Sequence, residues 1–270
     1  MRGFHSIKSL QGLSLVELMV ALLLGSFVAV AATQLFLINQ STNNLQNGLS
    51  SVQDQGRYAF SYISRDLMQA GYNSEGDSLS PFLFENSSIP GNEISQDEHT
   101  ARYDRLVLQV NGGTDCVGNE FTGIKVYEMK ENAQTGVTGL LCRIRWQETS
   151  TNDEGDEETA WKTTSETVVD YVEAFQVLYG VDTDSLGDSG YGAADYYATA
   201  TDVSPALDRV VSVRYALLLA SDRVVSTESA YAPTEIQVLD QVYDSDDINL
   251  SDGRAYRVYI STVGLRNQQG

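Results

Sequence analysis

Hydrophobic positions run unbroken near the start of the chain and turn periodic further on. From Leu18 to Ile38 nearly every residue is Leu, Val, Ala, Met, Phe or Ile, with Ser26, Thr33 and Gln34 as polar exceptions. About 21 residues at ~1.5 Å each cross a hydrocarbon layer of roughly 30 Å, so the run predicts a membrane-spanning helix. Past a polar patch, small or apolar residues recur at Leu45, Leu49, Val52, Gly56, Ala59, Ile63, Leu67 and Ala70. Steps of three and four mark one helical face, with Arg57, Ser61, Ser64 and Asp66 off it and Gly71 as a stop. The pattern predicts one helix from Leu13 to Ala70, roughly 85 Å long at 1.5 Å per residue. The Asn/Ser-rich middle and Gly48 are weak helix formers, so a bend or melted turn is expected there.

Beyond residue 72 the pattern changes to alternation and β-forming residues. Candidate strands are 103–110, 123–131, 140–148, 167–181, 209–220 and 256–265, separated by polar stretches at 149–158, 182–195 and 244–253. The expected class is α+β: a long N-terminal helix packed on an antiparallel sheet.

Arg2 and Lys8 precede the apolar run, and no acidic residue occurs among the first 16, which places the N-terminus in the cytoplasm and the rest outside. No small-residue cleavage site follows Ile38, so the run reads as a permanent anchor, not a disposable secretory signal. Glu17 sits one turn into this apolar segment. A carboxylate there either reaches the interface with its side chain or is paired and functional, and position alone leaves both open.

The stretch 12–25, GLSLVELMVALLLG, resembles the signal of type IV prepilins, in which a basic leader ends at a glycine followed by Phe-Thr-Leu-Val-Glu. The resemblance implies cutting by the prepilin peptidase between Gly12 and Leu13, methylation of Leu13, and an assembly charge pair between Glu17 and the new amine of Leu13 on a neighbouring subunit. Leu13 and Ser14 replace the usual Phe and Thr. The segment 56–72, GRYAFSYISRDLMQAGY, is similar to the PilW family of minor pilins. There Arg65 and Asp66 are read as ordinary solvated charges. The implied layout is a leader at 1–12, a membrane or filament-core helix at 13–38, its amphipathic continuation at 39–72 and an exported β-rich domain at 73–270.

The formal net charge is −20, which disfavours direct nucleic-acid binding by repelling phosphate. Two cysteines, Cys116 and Cys142, most simply form one disulfide on an exported chain; closing about 25 residues is worth about 3 kcal/mol. Two buried thiols are the alternative, while the resemblance favours the bridge. Of two histidines, His5 would leave with the leader and His99 alone cannot build a multi-histidine metal site. The GDSG at 187–190 echoes a protease nucleophile loop but lacks a base and is read as coincidence. No phosphate-binding glycine motif occurs.

Asp182, Asp184, Asp188 and Asp195 lie in a Gly-containing loop and could wrap a calcium ion; a solvated loop is the alternative. No other cofactor is implied. Tyrosines at 191–197 are read as sheet-edge packing, with a contact surface as the rival. The resemblance therefore implies a non-enzymatic minor pilin of the inner membrane and then the pilus or cell surface. Its partners would be other minor pilins and the major pilin, in an initiating or tip complex. A type II secretion pseudopilin and a single-pass adhesin using the acidic loop are the alternatives.

Overall fold

The computed structural model describes residues 14–76, 79–84, 93–100, 103–151, 156–203, 208–225 and 233–267. Gly12, Leu13 and residues 152–155 of the 149–158 stretch lie outside them. Helix α1 (Leu15–Gln69) is 55 residues long and begins with Leu18 N–H donating to Ser14 O at 3.1 Å. It ends as the glycine predicts: Gly71 takes φ 74°, and its N–H donates to Gln109 O at 2.9 Å.

The expected melted turn is absent, and residues 39–48 are helical throughout. Packing overrides propensity where Gly48 is buried, because a Cβ there would lie 2.5 Å from Val225 Cγ1. The chain divides into two compact units at Gln46 and Asn47.

In the second unit the strands are β1 (Gln96–Thr100), β2 (Tyr103–Thr114), β3 (Glu120–Glu131), β4 (Thr138–Thr151), β5 (Glu157–Asp170) and β6 (Val172–Val181). Then come β7 (Tyr196–Ala198), the one-turn α2 (Ala200–Val203), β8 (Val210–Val224), β9 (Glu235–Val238), β10 (Gln241–Asp244) and β11 (Arg254–Gly264). The main sheet has the order β11-β8-β6-β2-β3-β4-β5, with β1 added to β2 and β7 to β6; β9 and β10 form a separate hairpin. Among the described strands the pairings are antiparallel except at the β2–β6 junction, which rests on the Tyr103–Phe175 pair.

Two sequence expectations are corrected here. The run 167–181 is two strands, because Tyr171 adopts φ 59° and turns the chain between β5 and β6. The flanks of the polar stretch 149–158 are also strand, pairing Thr149 with Thr159 and Thr151 with Glu157. Thr149, Thr151 and the facing Thr159 supply β-formers to these arms even though they are exposed.

Alternation sorts the sheet's two faces. Leu106 and Leu108 of β2, Tyr127 of β3, Cys142 of β4, Phe175 of β6 and Tyr215 and Leu217 of β8 share a core with Val52, Ala59, Ile63 and Leu67 of α1. On the other face Ala174, Ala216 and Leu218 pack under the β9–β10 hairpin through Val238 and Tyr243. A charged ladder occupies that outer face of β2–β4: Arg105 to Glu128 (3.1 Å), Arg143 to Glu128 (2.9 Å) and to Glu93 (3.1 Å), and Arg145 to Glu93 (3.3 Å).

Candidate functional site: the apolar helix, the disulfide turn and the acidic loop

In the first unit, α1 turns every large apolar side chain to the outside: Leu15 is 74% exposed, Phe27 71% and Leu24 62%. Two hydroxyls of its apolar run close on their own backbone. Ser26 Oγ donates to Leu23 O at 2.7 Å, and Thr33 Oγ1 donates to Ala29 O at 2.9 Å. Such back-bonding removes the need for water, which suits hydrocarbon or a packed filament interior. The segment is long and apolar enough to cross a membrane. Glu17 lies in the first turn, where the helix dipole favours negative charge. No lysine, arginine or histidine occurs between Lys8 and Arg57, so this stretch of chain offers the carboxylate no cation.

In the second unit Cys116 and Cys142 form the expected disulfide, with Cα atoms 6.0 Å apart. It ties the β2–β3 turn to β4. Asp115 organises that turn, its Oδ1 accepting from the N–H groups of Val117 and Asn119, both at 2.8 Å. These bonds, with one from the Asn119 side chain, hold its carboxyl below the ordinary range, against a counteracting desolvation.

The acidic loop is only partly the set expected. Oxygens of Asp182, Asp184 and Asp195 lie within 4.8 Å of one another and could hold a cation together. Asp188 is not in that cluster; its Oδ2 accepts from Ser185 N–H at 3.0 Å and closes a turn instead. Much of the cluster's bonding serves the loop itself. Asp182, buried, accepts from the N–H groups of Asp184 (2.8 Å) and Gly192 (2.6 Å), while Asp195 accepts from Thr183 N–H at 2.7 Å. Desolvation and the neighbouring charges of Asp195, Asp182 and Asp188 raise the pKa of Asp184. Tyr196 and Tyr197 belong to edge strand β7, and Arg214 stacks 3.8 Å above the Tyr197 ring, so packing accounts for that part of the tyrosine cluster.

A family profile described as Type IV Pilus-assembly protein W matches residues 126–267, more than half of the chain. The chain belongs to that family. A second profile, the prokaryotic N-terminal methylation motif, matches residues 8–33 and spans Gly12, Leu13 and Glu17. No curated protein and no solved structure matches the chain. It is therefore a type IV pilus-related pilin with a prepilin signal and a membrane-anchoring apolar helix.

The PilW match opens within β3, one residue after a group that the sequence reading missed. Asp66 was expected to be solvated and is 1% exposed. Its Oδ2 accepts from Lys125 Nζ at 2.7 Å and from the Tyr127 hydroxyl at 2.6 Å, while Arg65 Nε reaches Oδ1 at 3.3 Å. Two patterns carried the signal. Asp66 lies three residues after Ile63 and four before Ala70, on the buried stripe. Lys125 shares strand parity with the buried Tyr127 and Met129.

Proposed function

We propose that this pilin is a minor subunit that helps initiate type IV pilus assembly within a tip complex, acting through contacts and not through catalysis. The observation that carries the reading is Glu17, a carboxylate placed in an apolar, outward-facing helix with no cation supplied by the chain from Lys8 to Arg57. A charge in that setting needs a partner from another molecule. Cutting after Gly12 would leave Leu13 with a new amine four residues from Glu17. In a bundle of such helices one subunit's amine meets the next subunit's carboxylate, and each offsets the other's desolvation.

In this reading Arg2 and Lys8 keep the leader in the cytoplasm. The apolar half of α1 holds the subunit in the inner membrane until it enters the fibre. The exported domain presents its sheet edges and loops to other minor pilins and the major pilin.

Mass spectrometry of the mature chain tests the processing. A start at methylated Leu13 supports the assignment, and an intact Met1 overturns it. The initiation role is tested by removing the chain from its cell and counting surface fibres. Few or no fibres, restored by the wild-type chain, are expected; undiminished piliation would contradict the role.

A further inference from the structure

The Asp66–Lys125 contact takes no part in anchoring or assembly as described, and it is unusual chemistry for a helix–sheet interface. Asp66 on α1 and Lys125 on β3 are 1% and 0% exposed, with Nζ and Oδ2 2.7 Å apart. The Tyr127 hydroxyl donates to the same carboxylate oxygen at 2.6 Å. The Tyr62 ring meets Tyr127 edge-on at 6.4 Å between centroids, and Leu67 and Cys142 are fully buried in the same core.

Water is thus kept from both partners. Enclosure of this kind penalises the charged ammonium. Burial lowers the pKa of Lys125, against the opposing pull of Asp66, and it raises that of Tyr127, which stays protonated. Lys125 Nζ thus faces a carboxyl whose Oδ2 is held by the Tyr127 phenol and whose Oδ1 is reached by Arg65 Nε at 3.3 Å. Fixed contact of two reacting groups replaces the encounter that a reaction in solution would need.

We propose that Asp66 and Lys125 condense into a side-chain amide, an internal cross-link between α1 and β3. The proton first passes from Nζ to the carboxylate. The nitrogen lone pair then attacks Cγ, and the Tyr127 O–H stabilises the negative charge that develops on oxygen. The C–N bond forms as a C–O bond breaks, and one N–H proton leaves with the hydroxyl as water. No electrons are exchanged and no co-reactant is needed. The bond would join residues 59 positions apart, so that tension on the helix passes to the sheet covalently. The proposal does not depend on the minor-pilin reading and survives its failure.

The test is tryptic peptide mass analysis of the full-length chain purified from membranes and reduced. Cross-linked protein yields residues 66–102 joined to residues 106–130, uncut after Lys125 and about 18 Da (one water) below the sum of the two peptides. Tandem spectra place the branch at the two side chains, and Lys125→Arg abolishes the linked species. Release of both segments as separate peptides of full mass, with cleavage after Lys125, would overturn the proposal. So would a mass deficit that persists in Lys125→Arg.

Discussion

The two compact units share one helix and use it in opposite ways. Up to Gln46 its large apolar side chains face outward, and the hydroxyls of Ser26 and Thr33 bond to their own backbone. From Asn47 on, Val52, Ala59, Ile63 and Leu67 are fully buried, and a polar residue on the same stripe, Asp66, finds its partners on β3. The glycines repeat the contrast: a Cβ at Gly25 would meet nothing within 4 Å, while one at Gly56 would press within 2.5 Å of the Tyr259 ring. The second half packs within its own chain, whereas the first leaves its apolar side chains turned outward. The same chemistry, a carboxylate among apolar side chains, is solved internally at Asp66 and, in the proposed function, left for assembly at Glu17.

Substitutions in matched pairs can break that contrast. The largest effect is expected for Asp66→Ala, which strands Lys125 in the core and should cost the second unit about 3–5 kcal/mol in chemical denaturation. Leu67→Ala removes a fully buried side chain and should cost about 2–5 kcal/mol, whereas Leu24→Ala should leave the same unfolding transition where it was. Equal effects at the two leucines would show that the apolar half stabilises the domain after all. Replacing both Cys116 and Cys142 with Ser should lower stability by about 3 kcal/mol, the value expected for losing a loop closure of this size. Smallest is the glycine pair. Gly56→Ala should cost about 1–3 kcal/mol through crowding of Tyr259. Gly25→Ala, in open space, should be neutral or firm the helix by up to about 1 kcal/mol.

Much of this was legible in the residues because long periodic patterns survive without tertiary information. The helix and its Gly71 stop, six β segments and the cysteine pair follow from spacing and composition. The break at Tyr171 was not legible, since a non-glycine residue at positive φ is set by the packing around it. The polar arms of β4 and β5 resemble a loop because neither face is buried there, and only cross-strand pairing makes them strand. At the acidic loop, spacing suggested four carboxylates, but the turn closed by Asp188 and Ser185 takes one out of the cluster. Asp66 was misjudged because a charged residue was assumed to leave the apolar stripe, although its spacing from Ile63 and Ala70 keeps it there.

The most direct test of the central claim concerns Glu17 itself. Glu17→Ala should be exported and cut like the wild type, and exported-domain stability should not change. Its recovery in sheared fibres, measured against membrane-bound chain by quantitative mass spectrometry, should fall roughly tenfold or more, equivalent to losing at least about 1.4 kcal/mol of assembly free energy. Wild-type recovery of that variant in fibres would contradict the claim that another subunit completes this carboxylate.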